Sequence, residues 1–437
     1  MRKKVGILGG GLAGLTVAGL LKHDFEVLEK NRDCGGLCRS YKEKGFTFDY
    51  GGGHIIFSRD ERILKFMLEK LRKNFLKRRR NTRIFFKGRL VKYPFENGLS
   101  ELPPKDNYDC LYEFLKTWLK QNRQGLPEPR NFQAWMYNTF GKGITERYLL
   151  PYNRKVWNFE PRLMGVDWVK GRVPQPPPED IVKSSLGLTT EGYTHQLFFY
   201  YPKLGGIQAL TDSIERQVKN RVTVGFDVRR VEKDGKKWAV SDGREEKIFD
   251  LVVSTVPVTD FSKIYKNTPV DVRRAARSLK YNSLVTVLLG YDVPKINDIN
   301  WLYFPGDRDG LFNRVNFTFN HSPWVVPKGK SSAIVEITCP PGGRLWRASE
   351  RKLADHAVRK LDEHGLAPAS EVCLSKVMKT EYAYVINDLN YSKNVNICSD
   401  YFEGEGIIMC GRFSEFKYLN MDSTIKSAME KAAQINK

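Results

Sequence analysis

The chain has 437 residues, and its 72 Lys and Arg against 50 Asp and Glu give a formal net charge of +22. At 41% hydrophobic and 12% aromatic residues it excludes a disordered chain, and its length holds about three domains' worth of chain at roughly 150 residues each. No run approaches the ~18 to 20 consecutive apolar residues of a membrane span, and the Gly-dense start after Arg2, Lys3 and Lys4 makes a poor secretory leader.

Seven cysteines, an odd number without paired metal-ligand spacing, point to reduced thiols in a cytoplasmic protein and to no metal site. The charge excess suits an acidic ligand and leaves nucleic acid, anionic lipid and phosphorylated metabolites open.

Val5–Leu8 reads as a buried strand running into Gly9-Gly10-Gly11-Leu12-Ala13-Gly14, with a helix over Leu15–Leu21 and a strand Phe25–Leu28 ending at Glu29. Strand, G-x-G-x-x-G, helix and an acid about 20 residues on form the arrangement a dinucleotide site needs. Gly9 permits the tight turn, Gly11 the approach of a pyrophosphate, and Gly14 close packing of helix on strand. The phosphates then meet the positive helix end, and Glu29 accepts from ribose hydroxyls.

Residues 60–165 carry mostly helical periodicity, as in 62–75, 110–122 and 132–140. Within them 65–92 holds twelve Lys or Arg, read as a solvated helix face. A Pro-rich connector spans 171–178. Strands follow at 222–226, 227–233, 237–241 and 248–255. This three-stranded excursion returns the chain to the nucleotide sheet. An amphipathic helix covers 351–364, a strand 406–412 and a terminal helix starts near Ser423. The expected class is α/β, a Rossmann-type FAD-binding domain with an inserted helical domain and an inserted antiparallel-sheet domain. Its pieces are 1–60, 204–260 and 400–437 for the nucleotide domain, 61–165 for the helical one, and 166–203 with 261–399 for the sheet.

Gly35-Gly36 followed by Arg39-Ser40, together with the first motif and Gly411-Arg412, resembles the FAD-binding pattern of the amine oxidase and protoporphyrinogen oxidase superfamily. Within it, the stretch 48–58 around Gly53-His54 resembles the histidine loop of UDP-galactopyranose mutases, and 93–97 their uridine segment. Residues 151–157, 171–173, 301–305 with Arg314, 382–384 and 411–418 are similar to the remaining blocks, in order.

The resemblance implies a mutase in which N5 of reduced FAD attacks the anomeric carbon of UDP-galactopyranose, expels UDP and allows ring contraction to the furanose. It implies His54 beside N5 and Arg172 and Arg314 on the diphosphate. FAD contacts would come from Gly9, Gly11, Leu12, Ala13, Gly14, Glu29, Lys30, Gly35, Gly36, Leu37, Gly53, His54, Val228, Gly411, Arg412, Asn420 and Met421. Substrate contacts would come from Tyr93 and Tyr148 flanking uracil, Glu96, Asn153, Trp157 at the sugar, Gln196, and the phenols Tyr303, Tyr384 and Tyr418. The implied partners are a nucleotide-diphosphate sugar and NAD(P)H or another reductant, with no nucleic acid and a homodimer left open.

Three positions depart from the family pattern: Glu96 in place of glutamine, Asn420 in place of the bacterial aspartate, and Val385 in place of proline. An ionised carboxylate accepts but cannot donate, so Glu96 leaves thymidine as an alternative to uridine. The competing activity within the superfamily is an FAD-dependent oxidation of an amine, porphyrinogen or polyene.

Overall fold

A computed structural model describes residues 3–169, 175–188, 190 and 197–437. A five-stranded parallel sheet orders Ile408–Met409, Leu251–Ser254, Lys4–Leu8, Asp24–Glu29 and Val222–Val224. Its strands are short and apolar because both faces are covered. The helix Leu12–Ala18, buried along its whole length, packs against Met421–Ile435 and Gln208–Val218.

The excursion forms an antiparallel sheet of Arg230–Asp234, Lys237–Ser241 and Glu246–Phe249. The single strand expected over 248–255 is two, broken at Asp250. That residue exchanges bonds with Lys4, whose N–H reaches the Asp250 carboxylate at 2.7 Å while its carbonyl accepts Asp250 N–H at 2.8 Å.

A seven-stranded sheet orders Val372–Ile386, Lys280–Tyr291, Ser331–Cys339, Arg314–Asn316, Trp301–Tyr303, Thr82–Phe86 and Arg89–Lys92. All its pairs are antiparallel except Trp301–Tyr303 with Thr82–Phe86. This corrects the reading of the basic run. Its first part lies on the helix Glu61–Leu71, capped by the Asp60 carboxylate, but Leu76–Arg79, Thr82–Phe86 and Arg89–Lys92 are strands. The charges at Lys77 and Arg79 alternate outward with a period of two, which is a strand signal rather than a helical one.

One face of the large sheet is apolar. Val285, Val287, Val315, Val335 and Ile337 pack there under Leu353, Ala357 and Leu361 of the helix Glu350–Glu363. The loop 50–56 crosses the opposite face, where Thr286 Oγ1 donates to the Tyr50 carbonyl at 3.0 Å. The helices Pro104–Gln124, Phe132–Ile144 and Leu150–Trp157 close the side of this face. Among the described residues no helix is long and apolar enough to cross a membrane.

Candidate active site

At the first glycine motif, Gly9 has φ +107° and Gly14 sits so close that an added Cβ would lie 2.0 Å from the Gly9 carbonyl oxygen. Gly11 differs: a Cβ there would meet only Gly36 Cα, at 3.8 Å. Gly11 and Gly35 form a parallel bridge, so the two glycine turns face each other and leave the backbone approachable by a pyrophosphate. Glu29 is buried; one carboxylate oxygen accepts Gly10 N–H at 2.7 Å, and the other accepts Asn31 N–H at 2.9 Å and the Asn31 amide at 2.6 Å. It shapes the turn as well as lying where a ribose is expected. Gly411, with φ +99°, approaches Ala13 closely, while Leu37 and Val228 pack into one apolar cluster. Met421 is buried and accepts from Cys38 Sγ, whereas Lys30 and Asn420 are exposed.

On the polar face of the large sheet, Tyr303, Arg314 and Glu336 lie directly across from one another on adjacent strands. Arg314 Nη2 is 2.6 Å from Glu336 Oε2 and donates to the Tyr384 hydroxyl at 3.3 Å. Burial opposes the guanidinium charge, but Glu336 and the phenols of Tyr384 and Tyr303 raise its proton affinity above the ordinary arginine range. Glu336 is fully buried, and its Oε1 accepts Gly53 N–H at 3.0 Å. Glu336 thereby ties the Arg314 guanidinium to the loop carrying His54.

Burial lowers the His54 imidazole to about 4, with Arg314 and Arg412 adding to the effect, so the ring is neutral near pH 7. Four side chains around this loop hold buried polar atoms without partners: His54 Nδ1, Arg314 Nε, Arg412 Nε, and both Nδ2 and Oδ1 of Asn316. Arg412 is otherwise clamped by the carbonyls of Leu419 and Ala383, and its guanidinium stands 4.4 Å over the Tyr418 ring.

Aromatic rings form two walls. Tyr93 packs on Tyr303 at 5.1 Å, Tyr303 on Tyr152 at 5.3 Å, Tyr152 on Tyr148 at 5.5 Å, and Tyr148 stacks on Phe95 at 4.9 Å. Opposite them, Trp157 meets Tyr418 at 5.7 Å and Tyr384 at 6.2 Å. Burial raises the phenols of Tyr93, Tyr148, Tyr152 and Tyr384, which keeps them neutral donors. Tyr148 rides on a widened π-type turn, Thr145–Leu149, whose Arg147 is held by Asp106 at 2.8 Å and Asp109 at 2.5 Å. Asn153, expected at the nucleotide, donates Nδ2 to the Leu149 carbonyl at 2.7 Å, and its Oδ1 accepts Trp157 Nε1–H at 3.0 Å, which fixes the indole. Glu96 is buried.

Residues 12–375 match the family model described as flavin containing amine oxidoreductase. The chain belongs to that family. Among solved structures this flavoenzyme is similar to a reduced UDP-galactopyranose mutase, at 26% identity and a TM-score of 0.90 over 99% of this chain and 95% of that one. A putative protoporphyrinogen oxidase from Exiguobacterium shares the fold, with 14% identity, TM-score 0.79, and 100% and 99% of the two chains covered. Putrescine oxidase also shares it, with 15% identity, TM-score 0.67 and the same coverage. A curated relative from Danio rerio, an inactive all-trans-retinol 13,14-reductase, is 36% identical over 66 residues. That match covers 14% of this chain and 11% of the relative's length.

The family is FAD-binding, and the residues present fit FAD: a glycine cradle open at Gly11, a buried acid that accepts Gly10 N–H from the end of the next strand, and unpartnered polar atoms around the Gly53–His54 loop. The fold is thus a Rossmann-type FAD-binding domain with helical and sheet insertions. The structure gathers His54, Arg314, Tyr93, Tyr148, Trp157, Tyr303, Tyr384 and Tyr418 in one region. Arg172 and Gln196 lie outside the described residues. Sequence reasoning passed over three neighbours. Tyr152 lies within the stretch 151–157, and Arg80, 5.7 Å from the Tyr93 ring, within the basic run. Asn316 follows Arg314 by two residues and shares its face of the strand.

Proposed function

We propose that this flavoenzyme is a nucleotide-sugar mutase interconverting pyranose and furanose forms, with UDP-galactopyranose and UDP-galactofuranose as the pair. One observation carries the reading: the partly buried Arg314, braced by Glu336, shares a wall with the phenols of Tyr303 and Tyr384 beside the Gly53–His54 loop. Guanidinium and phenol donors suit a diphosphate, and they act most strongly as charge grows on the departing UDP. An amine or a polyene makes no use of such a wall.

When bound, reduced FAD supplies a nucleophilic N5 for the anomeric carbon. Arg314 holds the β-phosphate, with Arg172 as second cation and Gln196 and Tyr418 as further donors. Tyr93 and Tyr148 flank the base, Glu96 accepts its N3–H, and Trp157, oriented by Asn153, lines the sugar. His54, neutral at pH 7, lies along the N5 side. A reductant such as NAD(P)H primes the enzyme, in the cytoplasm, and the furanose product feeds cell-envelope glycan synthesis.

The test is anaerobic incubation of dithionite-reduced enzyme with UDP-galactofuranose and chromatography of the products. Conversion to UDP-galactopyranose only after reduction, and its loss in Arg314→Ala, is the expected result. Absence of conversion together with a flavin spectrum indifferent to UDP would overturn the reading. The family match itself favours a second reading, an oxidoreductase of the amine oxidase type, whose mark is peroxide formed in step with amine consumed.

A further inference from the structure

The helix Pro104–Gln124 packs inward through Asp106, Cys110 and Phe114. Another side of it is uncovered. Lys105, Tyr108, Tyr112, Lys116, Leu119 and Arg123 follow one another at intervals of three or four, so they share one face, and all are exposed. Tyr108 and Tyr112 keep 60% and 52% of their surface open, and they stack on each other at 5.8 Å with Lys105 Nζ 5.6 Å over the Tyr108 ring. Among the described residues of this helix, none that is exposed is acidic; Asp106 is buried, and Asp109 and Glu113 are half-buried. Asp106 is held by Lys87 at 2.6 Å and by Arg147 at 2.8 Å, and Asp109 by Lys105 and Arg147, each at 2.5 Å. Two carboxylates thus serve three cations, and Lys116, Lys120 and Arg123 add to the positive charge of the exposed side.

An outward stripe of phenols, a leucine and cations has the chemistry that an anionic bilayer surface takes. Tyrosine rings settle at headgroup level with the hydroxyl in water, while lysine and arginine reach the lipid phosphates. A second copy of the chain fits worse, because a two-fold contact through this face would set its cations against themselves. We propose that the face from Lys105 to Arg123 lies on anionic lipid, and that the enzyme docks to a membrane surface through it. At 21 residues the helix is about 31 Å long and rests flat on the bilayer. The contact uses no residue of the Arg314 wall, so it stands apart from the choice of substrate.

The test is co-sedimentation of the full-length, FAD-loaded enzyme with vesicles of phosphatidylcholine alone and of equal parts phosphatidylcholine and phosphatidylglycerol. Binding is expected to the mixed vesicles alone, and it should weaken as salt rises. Lys116→Glu with Lys120→Glu should weaken it at least tenfold. Tyr108→Ser with Tyr112→Ser should weaken it about fivefold, with flavin and far-UV spectra unchanged in both variants. Failure of the wild type to sediment with the mixed vesicles overturns the proposal, as does a tyrosine variant that binds like the wild type. Tighter binding to duplex DNA than to the mixed vesicles, lost in the lysine variant, assigns the face to nucleic acid. A concentration-dependent dimer broken by the tyrosine variant assigns it to a second copy. Either of these results also overturns the lipid contact.

Discussion

Arg314 Nη2 lies 2.6 Å from Oε2 of Glu336, a carboxylate with no solvent exposure. The pair sits at the centre of a row running from Tyr303 to Thr286 across four strands, so its removal is felt on both sides.

Glu336→Leu should destabilise the fold by about 3 kcal/mol, because the arginine charge is left largely enclosed and uncompensated. Glu336→Leu combined with Arg314→Met should recover most of that loss while failing to bind UDP. Urea unfolding of these two variants and of Arg314→Met alone measures the coupling, and simple additivity of the two single effects would show that the ion pair is not what matters.

The two motif glycines should behave differently. Gly14→Ala drives a Cβ to 2.0 Å from the Gly9 carbonyl, a backbone atom that cannot step aside, so the protein should purify poorly or colourless. Gly11→Ala meets nothing closer than 3.8 Å and should fold with a normal far-UV spectrum, yet bind FAD at least tenfold more weakly. Flavin fluorescence titration reads this out; wild-type affinity in Gly11→Ala would move the pyrophosphate elsewhere.

Glu96→Gln restores an amide donor beside the proposed base. UDP should bind about fivefold more tightly, the worth of roughly one net hydrogen bond. Calorimetry with UDP and dTDP on Tyr93→Ala as a control separates base contacts from diphosphate contacts. An unchanged UDP affinity would take Glu96 out of the base site.

His321 is fully buried among Phe199, Tyr201 and Trp301, and neither ring nitrogen has a partner. Burial, then the charges of Arg78 and Arg80, lowers it from 6.5 to about 3. The unfolded chain therefore takes up its proton first as pH falls, and the fold loses stability through this group below about pH 6.5. Asp49 acts in the opposite sense. Burial raises it to about 6, so its contribution is lost as pH rises from the ordinary carboxylate range through 6. Denaturant unfolding of His321→Phe and wild type at pH 7, 6 and 5 isolates the histidine: the variant should gain on wild type at each step down. A constant difference would mean that His321 does not titrate in this range.

The nucleotide turn was legible because strand, glycine spacing, helix and acid follow one another within about 20 residues, although Gly9 also meets Thr255 and Gly11 faces Gly36. Arg314 and the tyrosines were legible only as members of ordered blocks. Asn316 was not, since a three-residue strand is too short to display a period, and its burial depends on Gly53 arriving from far upstream. The strands over 76–92 escaped for a related reason. Their charges dominated composition, and the hydrophobic demand on Ile84, Phe85 and Phe86 comes from a sheet built mostly from residues beyond 280.

Asn81 N–H donates to Asn300 Oδ1 across 219 residues of chain, at the start of the one parallel pair in the large sheet. During synthesis at about 5–20 residues per second, Thr82–Phe86 waits at least ten seconds for its neighbour, with an unpaired edge of aromatic side chains. The basic residues at 77–80 and 87–92 stand at either end of that waiting strand and repel a second copy of it. Part of the positive charge thus flanks a strand edge that stays open until the chain beyond residue 300 has been made.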